Sequence, residues 1–254
     1  MNKTVLITGA TSGLGYDFVK LFAADQYNLV LAARNGDKLH EIQQQYPQLK
    51  VTVIRKDLSI PGAAKEVFDE LQAKGITVDV LVNNAGFGLM GKFDELSITK
   101  QTEMIQVNIT ALTELTHYFL PQMKLRRSGQ IMNVASTAAF QPGPLMAVYY
   151  ATKAFVLSFS EALVEELKGT GVTVTTLCPG PTRTKFGETA SVENTKMFSR
   201  AMDSAAVAKQ GYKALLRGQR VVVTGSLNKA GTIAAKFLPR SLSAKAAKYI
   251  AGEK

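Results

Sequence analysis

Thr8-Gly9-Ala10-Thr11-Ser12-Gly13-Leu14-Gly15 is the stretch on which the reading of this chain turns. A short apolar run, Thr4–Thr8, leads into it, and an amphipathic pattern over Leu14–Ala24 follows it. A glycine-rich turn between a strand and a helix suits a phosphate group. Its backbone bends tightly and approaches the ligand, while the helix N-terminus offers free N–H groups and a positive dipole end. The spacing, Gly-x3-Gly-x-Gly, differs from the commoner Gly-x-Gly-x-x-Gly of dinucleotide-binding turns. Three glycines alone also suit a plain tight turn, so the surroundings decide.

Outward from this turn, short β-branched or apolar runs predict seven strands. They lie at Thr4–Thr8, Asn28–Ala33, Val51–Lys56, Val78–Asn83, Gly129–Ala135, Val172–Leu177 and Arg220–Thr224. Continuous apolar runs such as Val-Leu-Ile suit strands covered on both faces. Helical patterns lie between them, at Leu14–Ala24, Asp37–Gln45, Pro61–Lys74, Thr99–Lys124, Tyr150–Lys168 and Asp203–Leu216. Strict alternation predicts an α/β fold: a doubly wound, Rossmann-type, mostly parallel seven-stranded sheet with helices on both faces. Two stretches break the rhythm. Gln141–Leu145 (Gln-Pro-Gly-Pro-Leu) is a forced loop, and the polar, weakly patterned Thr182–Arg200 reads as a mobile lid.

The 254 residues, 46% hydrophobic and 20% charged, suit one large domain and exclude a disordered or fibrous chain. We assign 1–225 to a single catalytic domain, with its lid near 182–200, and 226–254 to a basic C-terminal extension. No run of 18 apolar residues offers a spanning helix, and Met1–Ala10 is too brief for a signal peptide. The single cysteine, Cys178, fits a reducing cytoplasm. His40 and His117 lack partners at metal-ligand spacing, so no metal is expected. The net charge of +10 raises nucleic acid or anionic membrane as partners. From Gly225 onward, Lys229, Lys236, Arg240, Lys245, Lys248 and Lys254 face Glu253 alone, so half the excess sits there. That segment suits a solvated tail, or a weak contact with a membrane surface, since Ala230–Leu238 and Leu242–Ile250 mix apolar residues with lysines. No nucleic-acid motif is present, and none of that class is expected as a partner.

Further motifs follow the turn. Asn83-Asn84-Ala85-Gly86 stands after the fourth strand, and Tyr149-x3-Lys153 has Ser136 upstream and Asn108 on the preceding helix. Pro179-Gly180 follows the sixth strand, with Thr184 beyond. Together with Thr8–Gly15, this pattern resembles the single-domain short-chain dehydrogenase/reductase family over roughly residues 3 to 225. The resemblance implies catalytic roles for Asn108, Ser136, Tyr149 and Lys153, with Asn108 holding a water that links Lys153 to solvent. It implies a nicotinamide cofactor on Gly9, Thr11, Ser12, Gly13, Leu14 and Gly15. Arg34, Asp57, Leu58, Asn84, Ala85 and Gly86 would hold it farther along, with Tyr149, Lys153, Pro179, Gly180, Thr182 and Thr184. It also implies a homodimer or homotetramer paired through the long helices Thr99–Lys124 and Tyr150–Lys168.

The chemistry supports the same residues. Reducing a ketone leaves an alkoxide that needs a proton, and tyrosine, at a pKa of about 10, gives one up readily only with help. A lysine four residues on shares its helix face and is expected to lower that pKa. Tyr150 competes for the role, but its partner four residues on would be Ala154. Ser136, at the carboxyl edge of the sheet, suits a hydrogen bond to the substrate oxygen; Thr137 offers a similar hydroxyl. After the second strand, Ala33 stands where NAD-binding folds place an acid, and Arg34 follows, so NADP is expected over NAD. Asp57 suits the adenine end or a cap near Ser59 and Pro61. The expected function is an NADPH-dependent carbonyl reductase, or the reverse dehydrogenase. The alternative is a non-catalytic NADP-binding regulator on the same fold. Phe140, Leu145, Met146 and Val148, with Phe186, Met197 and Phe198 of the lid, point to a fairly apolar substrate.

Overall fold

The computed structural model describes residues 2–190, 192–193 and 195–252, without the side chains of Glu188, Thr189 and Met197. Parts of two sequence readings therefore lie outside the described residues: Ser191, Asn194 and the Met197 side chain of the lid, and Glu253 and Lys254 of the extension.

Strand β1 (Thr4–Thr8) leads to helix α1 (Gly13–Ala24), β2 (Asn28–Ala33), α2 (Gly36–Gln44), β3 (Val51–Arg55) and α3 (Ala63–Ala73). The second half continues through β4 (Val80–Asn83), α4 (Ile98–Ile105), α5 (Leu112–Leu125), β5 (Gly129–Val134), α6 (Ala147–Glu166) and β6 (Val172–Cys178). A short strand β7 (Thr182–Arg183), α7 (Lys185–Ala190), β8 (Met202–Asp203), α8 (Ser204–Leu216), β9 (Val221–Val223), α9 (Ser226–Phe237) and α10 (Arg240–Ala251) complete it.

Seven strands form one sheet in the order β3-β2-β1-β4-β5-β6-β9, and every pair is parallel. The alternation along β1 explains the two layers. Leu6 faces Val30, Ile54 and Leu81 and is covered by Val67 and Leu71 of α3 and Phe119 and Met123 of α5. Val5 and Ile7 face the other way and pack with Phe18 and Phe22 of α1, Leu39 of α2 and Leu215 of α8. Each fully buried Leu, Ile or Phe contributes about 1.5–3 kcal/mol, so the apolar strands fix the sheet before any polar group acts. The strand order reverses between β1 and β4, which opens a crevice at the carboxyl ends of both.

Three readings change. The helix expected over Thr99–Lys124 is interrupted by a π-helical segment, Gln106–Ala111, between α4 and α5. Buried positions still recur at three- and four-residue spacing across it, at Met104, Val107, Asn108, Ala111, Leu112 and Leu115, so the sequence hides it. The lid carries α7, a 3-10 turn at Lys196–Arg200 and a two-residue β7–β8 ladder in its described part. Ala190 and Val192 are buried with Phe186 and Phe198 beside them, a spacing too irregular to read as an element. The basic extension holds two helices, α9 and α10.

Candidate active site

The glycine turn is built by steric need. Gly9 and Gly13 have φ of 65° and 52°, in the left-handed region. A Cβ on Gly15 would stand 2.2 Å from the carbonyl oxygen of Gly9 and 2.6 Å from Asn84 Nδ2. Ser12, the N-cap of α1, makes no side-chain capping hydrogen bond, so the first N–H groups of the helix face the crevice. From below, Asn84 Nδ2 donates to the carbonyl of Thr8 (2.9 Å), and the N–H groups of Asn84 and Ala85 donate to Thr8 Oγ1 at 3.0 and 2.9 Å. Thr8 thus pins the Asn84-Ala85-Gly86 turn to the glycine turn, a role the sequence reading did not give it. We expect Gly15→Ala to destabilise the protein by about 1–3 kcal/mol, through overpacking against backbone. A thermal melt checks this, and an unchanged melting temperature contradicts it.

At the other end of the crevice, Arg34 follows β2, and the register pairs Ala33 with Arg55 of β3. Arg34, Arg55 and Lys56 line one adjoining hollow with Asp57. Lys56 is paired with Glu66 at 2.6 Å, whereas Arg34 and Arg55 form no ion pair among the described residues. Arg55 was not singled out from the sequence, because only strand pairing brings it beside Ala33. Asp57 Oδ1 accepts the N–H and hydroxyl of Ser59 at 2.9 and 2.8 Å, and α3 starts later, with Gly62 as N-cap. Burial pushes against the Asp57 charge, but the Ser59 hydrogen bonds and then the Arg34 guanidinium hold its pKa below the ordinary value.

The central groups converge from three elements. Ser136 lies two residues past β5; its Oγ accepts the N–H of Ala138 (3.1 Å), donates to the carbonyl of Pro179 (3.3 Å) and is hydrogen-bonded to the Tyr149 phenol. Tyr149 and Lys153 lie one turn apart on α6, and both are buried. Lys153 Nζ donates to the carbonyl of Val134 (2.8 Å) and stands 5.8 Å from the Tyr149 ring centroid. Here the structure departs from the expectation that lysine lowers the phenol's pKa. Burial raises it well above the ordinary tyrosine value, and only the Ser136 hydrogen bond works the other way. The ammonium is turned toward Val134, and desolvation of a phenolate outweighs it. Burial also brings Lys153 itself down to about 8.

Asn108 lies in the π-helical segment, with its amide locked on both sides. Oδ1 accepts the N–H of Phe87 (3.1 Å), and Nδ2 donates to the carbonyl of Phe87 (3.0 Å) and to Thr152 Oγ1 (3.1 Å). A Cβ on Gly86 would stand 2.9 Å from Asn108 Oδ1 and 3.5 Å from Lys153 Nζ, so a side chain at this position would crowd both polar groups. The rival Tyr150 packs its ring where a Cβ on Gly143 would fall, 2.2 Å from Cγ, in the forced loop. Behind the site, Asn83 Nδ2 donates to Thr116 Oγ1 (3.0 Å) and Asn133 Oδ1 (2.9 Å), and Asn133 Nδ2 to Ser160 Oγ (2.9 Å). This buried chain ties β4 and β5 to α5 and α6 and was not anticipated.

All expected site residues but two line one crevice of about 400 Å³: Gly15 lies beneath the turn and Asn108 behind the wall. Thr184 packs on Gly13, and Thr182 donates its hydroxyl to the carbonyl of Gly180 at 2.8 Å. Met146, Tyr150, Phe186, Val192 and Phe198 form the apolar end beside Tyr149, whereas Phe140, Leu145 and Val148 do not reach it. Cys178 is buried under the site, and burial pushes its thiol up to about 12. Among the described residues no three His, Cys, Asp or Glu side chains could hold a metal ion.

A family model described as short chain dehydrogenase matches residues 3–195. Sulfoacetaldehyde reductase 2 of Chromohalobacter salexigens is 37% identical over 189 residues, covering 73% of this chain and 75% of that protein. The structure of a short-chain dehydrogenase from Sphingobium yanoikuyae in complex with NADPH superposes with a TM-score of 0.80 at 27% identity, over 94% of this chain and 97% of that one. A short-chain dehydrogenase/reductase from Burkholderia phymatum in complex with NAD gives 0.81 at 26% identity, over 91% and 92%.

Proposed function

This chain belongs to the short-chain dehydrogenase family and is an oxidoreductase acting on alcohol or ketone groups, and from that premise we propose an NADPH-dependent reductase of fairly apolar carbonyl compounds. The observation that carries the reading is the Tyr149 phenol, hydrogen-bonded to Ser136 with Lys153 one turn on, at the wall of a crevice that begins at the glycine turn. A protein that only bound the nucleotide would have no use for that arrangement.

The residues present fit a dinucleotide. The glycine turn lines the crevice through Gly9, Thr11, Ser12 and Gly13, and the uncapped start of α1 suits a pyrophosphate. When bound, the nicotinamide supplies the hydride. Ser136 hydrogen-bonds the substrate oxygen and holds it at Tyr149. Tyr149 donates the proton from its Oη as that oxygen gains charge. Lys153, its ammonium turned from Val134 to the phenol, stabilises the phenolate left behind, and a water held by Asn108 between Lys153 and solvent restores the proton. Met146, Phe186 and Phe198 exclude water and favour an apolar substrate. An NADPH-oxidation panel of ketones, aldehydes, acyl compounds and sugars tests this. Turnover of sugars alone contradicts the apolar substrate, and no turnover at all contradicts the reductase.

Relatives hold either nucleotide, so the choice rests on this chain. Ala33 offers no carboxylate to ribose hydroxyls, and Arg34, with Arg55 beside it, suits a 2′-phosphate. Charged hydrogen bonds contribute roughly 1.5–3 kcal/mol, so Arg34→Ala is expected to lower kcat/KM for NADPH about 10- to 150-fold and leave NADH turnover nearly unchanged. A parent enzyme that prefers NADH contradicts the assignment. The half-exposed Ile105 and Phe155 on the long helices support a homodimer or homotetramer, which light scattering measures. The single buried thiol supports a cytoplasmic place.

A further inference from the structure

Helices α9 and α10 are inside out. On α9, Thr232 and Ala235 face the protein, while Leu227, Ile233 and Phe237 are exposed at 62%, 49% and 84%. On α10, Ser243, Ala247 and Ala251 face inward, while Leu242, Tyr249 and Ile250 are exposed at 50%, 71% and 45%. A helix that only covers a core does the reverse. Around these apolar side chains stand Lys229, Lys236, Arg240, Lys245 and Lys248, with no acid between 226 and 252. None of the five makes an ion pair among the described residues.

We infer that α9 and α10 form a docking face for an anionic lipid bilayer. Charge selects the occupant. A second copy meeting this face through its own would set five cations against five, so self-association there is opposed. An acidic protein surface would pair the cations but gives no reason for Phe237 and Ile250 to stand outward. Apolar side chains at the acyl boundary, with lysine stems reaching back to headgroups, satisfy both features at once. No helix among the described residues is long and apolar enough to cross a membrane, so the contact lies in the surface plane.

The face adjoins the crevice. α9 packs on the 3-10 turn Thr137–Phe140, which follows Ser136, and its Asn228 lies against Gly180. α10 packs on the turn at Lys196–Arg200, whose Phe198 lines the crevice, and the N–H of Lys196 donates to the carbonyl of Gly252 (3.3 Å). Docking therefore sets both walls of the crevice beside the lipid surface.

The test is flotation of the full chain with phosphatidylcholine vesicles, with and without phosphatidylglycerol. The protein is expected to float only with the anionic vesicles, and less at high salt. Each cation near such a surface contributes enough that Lys245→Gln with Lys248→Gln should lower the partition coefficient about 30-fold. Phe237→Ser with Leu242→Ser should abolish flotation while the melting temperature and NADPH binding stay at the parent's values. Equal flotation with neutral vesicles, no flotation with either, or variants that float like the parent overturn the proposal. So does a parent dimer, seen by light scattering, that only the serine variant loses. None of these readouts depends on turnover, so the docking face and the proposed reaction stand or fall separately.

Discussion

Tyr149→Phe is expected to lower kcat by about 10²–10⁴ while NADPH binding stays near the parent's, because the variant removes a proton donor and little else. The phenol is buried, and burial holds its pKa far above neutrality, so the proton is in place at any pH at which the protein works. The Ser136 hydrogen bond, from the group proposed to hold the substrate oxygen, works in the other direction. Phenylalanine keeps the ring, and with it the contacts to Tyr150 and Phe186 at 6.1 and 5.3 Å between centroids. The loss should therefore fall on kcat and hardly on KM, which separates a proton donor from a packing residue. Tyr150→Phe is the control. Its ring is set by Gly143 and it has no lysine one turn on, so it should lose far less. Single-turnover kinetics with NADPH and a reducible ketone distinguish the two. A Tyr149→Phe enzyme that reduces carbonyls at the parent's rate would falsify the mechanism.

Two groups named in advance are built by neighbours in sequence, while Ser136, Asn108 and Pro179 were reached through the resemblance. The glycine turn needs only β1 and α1. Tyr149 and Lys153 need only one turn of α6, and their chemistry follows from type and spacing. What stayed hidden depends on long-range pairing. Arg55 reaches the hollow beside Arg34 only because Ala33 is its partner in the β2–β3 ladder. Thr8 braces Asn84 and Ala85 across 76 and 77 positions of sequence. The chain from Thr116 through Asn83 and Asn133 to Ser160 spans two strands and two helices. Across the π-helical turn that aims Asn108 at Phe87, buried positions keep the three- and four-residue spacing of an ordinary helix. Even the direction of the Tyr149 pKa was misread, because spacing placed the lysine nearby and could not show that its hydrogen bond goes to Val134.

That hydrogen bond leads to the second large effect, which reverses sign between activity and stability. Burial lowers the Lys153 pKa from 10.5 to about 8. Below pH 8 both the folded and unfolded chains carry this proton, and the folded state bears the full penalty, about 3 kcal/mol. Between about 8 and 10.5 the unfolded chain holds a proton that the folded one has released, so stability rises with pH across that window. Lys153→Met removes the buried charge and also strips the Val134 carbonyl of its donor, which costs about 1–3 kcal/mol. At pH 7 the variant is therefore expected to be more stable by about 1 kcal/mol, a rise of roughly 2–4 °C in Tm. Near pH 10 only the lost hydrogen bond remains, and the order should invert. Catalysis moves the other way at every pH: without a cation to stabilise the phenolate, kcat should fall about 10²–10³-fold. The parent's kcat/KM for carbonyl reduction should decline as pH rises through about 8, and that limb should be missing from the variant. Melts of both proteins at pH 7 and pH 10, beside their pH–rate profiles, measure all of this. A variant that melts lower than the parent at pH 7, or that keeps the alkaline limb, would show that Lys153 is not the buried, titrating cation of this site.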